Sequence, residues 1–143
     1  MLATSEKSAD RHLWTFSDND ITQLAIDPTS LRISCWSLEG QLDIRLESPF
    51  LFEDADGTQS RIDPDEPHQI APMLSLIGVS VIHLDITRDG TMEVRLGDGS
   101  WIRAQPDPAN EAWEVDGAGT FKQISYLCSP GGGSPWSMSD DAN

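Results

Sequence analysis

Apolar and polar residues alternate along much of this chain, and this pattern constrains the fold more than any other feature. Residues 31–36, 42–46 and 92–96 each place an apolar side chain at every second position, with polar side chains between. Successive side chains of a β-strand point to opposite faces of a sheet, so each segment is typical of a strand with one buried and one solvated face. The alternation therefore predicts antiparallel strands.

Further segments have the apolar composition of strands, and turn residues separate many of them. Arg88-Asp89-Gly90 and Asp98-Gly99 are typical of tight turns between paired strands. The additional strands are predicted over residues 21–26, 79–86, 101–104, 112–115 and 120–127.

One segment, residues 67–77, departs from the alternation and predicts a short helix. Pro67 suits the first turn of a helix and Gly78 suits its end. Its apolar residues recur at the spacing of one helical face: Ile70, Met73, Leu74 and Ile77. The predicted fold class is α+β, a mostly antiparallel twisted sheet or half-barrel with this helix against its open face.

The length of the chain, 143 residues, suits one domain with its own hydrophobic core. The polar ends predict a frayed N-terminus over residues 1–11 and a flexible acidic tail over residues 137–143. Residues 12–136 are expected to form a single β-rich domain.

The charge balance restricts the class of partner. The chain has 24 Asp and Glu residues against 9 Lys and Arg residues, a formal net charge of -15. A negative field repels phosphate backbones and anionic membrane surfaces, so neither nucleic acid nor a membrane is expected as a partner. The same field attracts a basic protein and speeds the encounter with it.

The N-terminal residues and the cysteines bear on cellular location. The first ten residues are polar and lack the basic and apolar regions of a signal peptide, and no apolar run approaches the ~20 residues of a membrane helix. Cys35 and Cys128 lie far apart in the sequence. We expect a cytoplasmic protein in which both thiols are reduced and buried.

No pattern in the sequence defines a metal or cofactor site. His12, His68 and His83 lie on separate segments, without the closely spaced ligand pairs of zinc sites. The acidic loop over residues 54–65 has its glycine too early for an EF-hand. The glycine run at residues 129–133 lacks the Lys-Ser/Thr ending of a phosphate-binding loop. We therefore expect no metal and no cofactor.

The residues also define no catalytic centre. Cys128 has no base at a spacing that would activate it as a nucleophile. An enzyme that uses Asp or Glu as acid and base is one hypothesis. However, carboxylates are too numerous for the sequence to select a pair. We expect a protein that is not an enzyme.

The C-terminal part carries a recognisable pattern. A proline–aspartate loop at residues 106–108 is followed by Glu-Ala-Trp-Glu at 111–114, Cys-Ser-Pro-Gly-Gly-Gly at 128–133 and then Trp136. This pattern resembles a family of small uncharacterised bacterial proteins, common in actinomycetes and known as DUF6188, over about residues 22–136. The chain departs from the family pattern at Ser134-Pro135, where apolar residues are expected. The resemblance implies no established activity, and analogy with related small acidic proteins implies an immunity protein beside a secreted toxin.

The leading hypothesis is a non-enzymatic inhibitor or immunity protein whose acidic surface blocks a basic toxin or enzyme. Acidic loop residues would make the charged contacts with the partner, and an exposed indole would be the apolar anchor. The predicted partner-binding residues are Asp54, Asp56, Asp63, Asp65, Glu66, Trp36 and Trp101. The alternative is a small-ligand-binding half-barrel of unknown specificity, with its ligand between the helix and the sheet.

Overall fold

The computed structural model of the chain describes residues 2–132, 134 and 135. Within them, the strands are β1 (Leu2–Lys7), β2 (Arg11–Ser17), β3 (Gln23–Ile26), β4 (Leu31–Trp36), β5 (Gly40–Leu46), β6 (Phe50–Glu53), β7 (Gln59–Ile62), β8 (Val81–Thr87), β9 (Met92–Leu96), β10 (Trp101–Ala104), β11 (Trp113–Gly119) and β12 (Ser125–Leu127). A 3-10 helix spans Pro67–Leu76.

The described strands form two antiparallel sheets. A seven-stranded sheet has the order β1-β2-β8-β9-β10-β6-β7, and a five-stranded sheet has the order β12-β11-β5-β4-β3. The α+β prediction of a mostly antiparallel fold with one short helix is confirmed. The strands divide into two sheets rather than curving into one half-barrel, because each sheet has an apolar face that the other can bury.

The two sheets share one hydrophobic core, built from the alternate residues of their strands. Ile33 and Ile44 of the five-stranded sheet and Leu84, Val94 and Ile102 of the seven-stranded sheet are all buried in it. Burying one such side chain contributes about 1.5–3 kcal/mol relative to leaving it exposed. The alternation in the sequence is therefore the pattern of this shared core.

The helix is confirmed, but it has a different periodicity from the one we predicted. Ile70, Met73 and Leu76 are buried at every third position, whereas Leu74 and Ile77 are 54% and 50% exposed. A 3-10 helix has about 3 residues per turn instead of the ~3.6 of an α-helix. The predicted face was therefore wrong at Leu74 and Ile77.

The N-terminal residues form a strand instead of the frayed end that their polarity predicted. β1 pairs with β2 in register from Leu2 with Ser17 to Lys7 with His12. An edge strand is held by backbone hydrogen bonds along one side, so it tolerates polar side chains on both faces. Trp136 and the predicted acidic tail over 137–143 lie outside the described residues.

A hydrogen bond from a buried tryptophan joins the two sheets. Trp113, in β11, is fully buried, and its Nε1 donates to the backbone carbonyl of Gly90 at 2.8 Å. Gly90 lies in the turn between β8 and β9 of the other sheet. The bond fixes the position of that turn against the five-stranded sheet.

A second contact joins the sheets one strand further along, between β12 and β2. The hydroxyl of Tyr126 in β12 accepts a hydrogen bond from Trp14 Nε1 at 3.0 Å and lies 2.7 Å from His12 Nδ1. Trp14 and His12 belong to β2 of the seven-stranded sheet. The hydroxyl of Tyr126 thus finds its hydrogen-bond partners across the two layers.

The geometry at Gly90 predicts a large effect of substitution there. Gly90 has a φ of 95°, and a Cβ atom would lie 2.7 Å from Pro106 Cγ. Gly99 has a φ of 91° in the next hairpin turn, with nothing within 4 Å of its Cβ position. We expect Gly90→Ala to lose about 1–3 kcal/mol more unfolding free energy than Gly99→Ala, because only Gly90 adds a steric clash to the strain.

Urea denaturation of both variants measures this difference. Gly99→Ala serves as the matched control, because it carries the left-handed strain without the contact. Equal losses in the two variants would show that the packing of the turn on Pro106 does not contribute to stability.

Candidate functional site

The outward face of the seven-stranded sheet carries charges that neutralise one another. Arg11 Nε lies 2.8 Å from Asp85 Oδ1. Arg95 and Arg103 both contact Glu93, at 2.6 Å and 2.9 Å between nitrogen and oxygen. These guanidinium groups therefore contribute little attraction for a distant charged partner.

Trp101, which we predicted to be an exposed anchor, lies on this face but is covered. Only 8% of it is exposed, and its Nε1 donates to Glu53 at 2.7 Å. The guanidinium carbon of Arg103 lies 4.6 Å from the centroid of the indole ring. Glu53 on the neighbouring strand and Arg103 on the same strand cover Trp101, so its indole offers little surface to a partner.

The outward face of the five-stranded sheet places like charges together. Asp43 in β5 is the direct cross-strand partner of Asp116 in β11. Arg45 is the cross-strand partner of Glu114 and lies on the same face. Opposed like charges destabilise a sheet, and hydrogen bonds from Ser34 and Trp36 to the Asp43 carboxylate offset part of this cost.

Glu114 and Asp116 form a closely coupled pair on β11. A hydrogen bond with Asp116, followed by burial and by repulsion from Asp116, raises the pKa of Glu114 from its ordinary 4.5 to about 6. A hydrogen bond between two carboxyl groups requires a proton on one of them, which explains the direction of the shift. Arg45 opposes the shift and does not cancel it.

A second carboxylate pair continues the acidic surface beyond the end of β5. Burial and repulsion from Glu111 raise the pKa of Glu47. Glu47 and Glu111 line an open cleft of about 420 Å³ together with Asp65, Thr29 and Asn110. The structure thus brings Asp65, one of the predicted binding residues, beside two carboxylates that are distant in the sequence.

These residues form one continuous surface, which we call the acidic strip. It consists of Asp43, Glu47, Asp65, Glu111, Glu114 and Asp116. Arg45 lies among them, with its Nη1 4.0 Å from Glu47 Oε1. The strip therefore has a large excess of negative charge.

Exposed apolar residues lie at one end of the acidic strip. Trp36 in β4 is 43% exposed, and its Nε1 donates to Asp43 at 2.9 Å. Ser34 donates to the same carboxylate oxygen at 2.6 Å. Leu38, in the turn after β4, is fully exposed. Trp36 is thus held in place by the strip while much of its indole faces solvent.

The other predicted binding residues serve local structure or stand apart. Asp54 accepts backbone hydrogen bonds from Asp56 and Thr58 and so closes the turn between β6 and β7. Asp63 accepts a backbone hydrogen bond from Asp65. Asp54 and Asp56 lie at one end of β7, whereas Asp63, Asp65 and Glu66 follow its other end. The predicted set therefore does not converge on one site.

The sequence did not single out the strip residues on the strands. They occupy outward-facing positions of the alternation, where a polar residue is expected. Asp43 and Glu114 are each flanked by apolar residues that face the core. The pairing of β5 with β11 places them together across about 70 residues of sequence. The acidity of residues 111–116 was the one local signal that pointed to this surface.

The two cysteines are free thiols, and both are buried. Burial raises the pKa of Cys35 to about 12, and burial also raises the pKa of Cys128. A thiol with a raised pKa is a weak nucleophile at neutral pH. Among the described residues, no three His, Cys, Asp or Glu side chains are placed to hold a metal ion. In the same part of the chain, no helix is long and apolar enough to span a membrane.

Comparison with known proteins identifies the family. A family model described as a family of unknown function (DUF6188) matches residues 15–137. The chain belongs to this family. Neither the curated proteins nor the solved structures contain a match to this DUF6188 chain. Its function must therefore be argued from the geometry of its surface.

The coupled pair on β11 predicts a pH-dependent stability. A raised pKa means that the folded chain binds the Glu114 proton more tightly than the unfolded chain does. The stability of the parent chain should therefore fall as the pH rises from 4.5 to about 6, and stay lower above that. Glu114→Gln should be more stable than the parent above this range, by up to about 1 kcal/mol at low salt, since solvent screens a half-exposed pair.

Urea denaturation across this pH range at low salt provides the measurement. The two proteins should have equal stability below the ordinary pKa of a glutamate, where both side chains are neutral. Asp116→Asn is the matched control, and NMR titration of it should show a lower pKa for Glu114. A less stable Glu114→Gln variant above that range would contradict the repulsive pairing.

Proposed function

We propose that this chain is a non-enzymatic binding protein that holds a basic protein partner on the acidic strip and acts as an inhibitor or immunity protein. The observation that carries the proposal is the placement of two carboxylate pairs, Glu114 with Asp116 on one face of β11 and Glu47 with Glu111 in one cleft. Both pairs belong to the same outward surface.

A basic partner would relieve the electrostatic cost of these pairs. An Arg or Lys side chain placed between two carboxylates replaces their repulsion by attraction, and it lowers their pKa values. Among the described residues, the fold places Arg45 within the strip and Arg32 beside it on β4, which is fewer cations than the six carboxylates of the strip. Complementary charge of this kind increases the association rate and disfavours acidic partners.

Trp36 and Leu38 would supply the apolar part of the contact. Binding energy at protein interfaces concentrates in a few anchors, often tryptophan, surrounded by polar groups. The indole of Trp36 is held by Asp43, so little side-chain entropy would be lost when a partner covers it. Trp36 therefore remains a predicted anchor. Most of the charged groups that contact the partner lie on or beside the five-stranded sheet instead of in the loops.

The alternative of a small ligand between helix and sheet receives less support. Ile70, Met73 and Leu76 belong to the hydrophobic core and occupy the inner side of the helix. A ligand at this position would have to displace closely packed side chains, at a cost in packing energy.

The proposal includes a cytoplasmic location. Cys35 and Cys128 are both unpaired and buried, which suits a reducing compartment. An immunity protein acts where it meets a toxin that has entered or remained in the producing cell.

The test is co-purification of the partner from the source cell at low salt. Glu47→Gln/Glu114→Gln removes one charge from each coupled pair and preserves side-chain shape. We expect the parent chain to retain a basic protein, and this variant to lose it, because each charge at a close pair contributes to affinity. Moderate salt should also release the partner.

The matched control is Asp56→Asn/Glu66→Gln, which removes two exposed charges outside the strip. It should retain the partner as the parent does. Leu38→Ser should weaken retention without affecting the fold, since its side chain is fully exposed. Failure of the parent to retain any basic protein at low salt, or equal retention by the strip variant, would refute the proposal.

A further inference from the structure

A cleft at the opposite sheet has a different character from the acidic strip. It has a volume of about 420 Å³ and opens on the outward side of β6, β7 and β10. Its lining includes Arg61, Arg103, Leu51, Gln105, Pro49 and Pro106. Small-molecule sites have volumes of about 300–1,000 Å³, so the cleft suits a small ligand.

The strand register places the two arginines on either side of a leucine. Arg103 in β10 is the cross-strand partner of Leu51 in β6, and Leu51 is the partner of Arg61 in β7. Neighbouring strands lie ~4.8 Å apart, so the two arginine Cα atoms are about 10 Å apart. Long side chains reach their neighbours across such a row.

The two arginines differ in what already holds them. Glu93 binds Arg103 through Nε and Nη2 at 3.0 Å and 2.9 Å, and 38% of the Arg103 side chain is exposed. Arg61 is exposed and makes no hydrogen bond or ion pair with any residue that the structure describes. An unpaired guanidinium is unexpected in a chain with 24 acidic and 9 basic residues.

The carboxylate in the cleft is committed to the backbone. Asp107 accepts hydrogen bonds from the backbone N–H groups of Ala109 and Asn110 at 2.9 Å and 3.0 Å. These bonds, chiefly the one from Ala109, lower its pKa. Asp107 therefore stabilises its own loop and leaves Arg61 available to another anion.

We propose that this cleft binds a small organic anion in which a carboxylate or phosphate group is attached to an apolar body. Arg61 holds the oxyanion, with Arg103 beside it, since guanidinium groups match the geometry of both anions. Leu51, Pro49 and Pro106 contact the apolar body. The site goes beyond the proposed function, because it lies on the other sheet. It binds an anion, whereas the acidic strip binds a basic protein.

NMR titration of the full isotope-labelled chain tests the site with three probes: benzoate, phenyl phosphate and inorganic phosphate. We expect saturable shifts at the backbone amides of Leu51 and Gln105 with benzoate or phenyl phosphate. The tighter of these two identifies the anionic group. Arg61→Gln should weaken binding about tenfold, because a charge-assisted hydrogen bond is lost.

Lys122→Gln is the matched control, since it removes one positive charge from an exposed turn of the five-stranded sheet. It should bind the probes as the parent does, and Arg61→Lys should bind with intermediate affinity. Arg61→Gln should still retain the basic partner, which separates this test from that of the proposed function. Absence of saturable shifts with both organic probes, equal weakening by Lys122→Gln, or equally tight binding of inorganic phosphate would overturn the proposal.

Discussion

Burial of two apolar sheet faces against each other is the constraint on which the rest of this structure depends. Trp113 is fully buried in that contact, and its bond to the Gly90 carbonyl fixes the β8–β9 turn of one sheet against β11 of the other. The turn can pack this closely because residue 90 is a glycine. A side chain at that position would clash with Pro106. The positions of both outward faces, and so of every candidate site, follow from this packing.

The same packing divides the charge of the chain between two surfaces. On the seven-stranded sheet, Arg11 and Arg103 are paired with carboxylates on neighbouring strands, and Arg95 is paired with Glu93 of its own strand. On the five-stranded sheet, the pairing of β5 with β11 opposes Asp43 to Asp116. The five-stranded sheet therefore keeps like charges together, whereas the seven-stranded sheet pairs its charges with opposite ones.

Prediction succeeded where the decisive interaction is local. Residues 31–36, 92–96 and 101–104 form strands with the predicted bounds, since alternation and turn residues act within a few positions. Prediction failed for β1, whose polar residues are held by pairing with β2. It also failed for the buried face of the helix, where packing buries Leu76 and leaves Leu74 and Ile77 exposed. Among the predicted binding residues, Trp36 and Asp65 lie at the acidic strip, whereas Trp101 is covered by Arg103.

By itself, the sequence determined the fold class, the family pattern around Trp113 and the excess of acidic residues, because composition and short-range periodicity carry this information. Only the tertiary structure decided which carboxylates meet. Glu114 is placed opposite Arg45 by strand pairing, and Arg61, whose cross-strand neighbour is Leu51, has no ion-pair partner among the described residues. The juxtaposition of Arg45 with Glu114 depends on strand order and register across about 70 residues of sequence, and no local pattern in the chain encodes it.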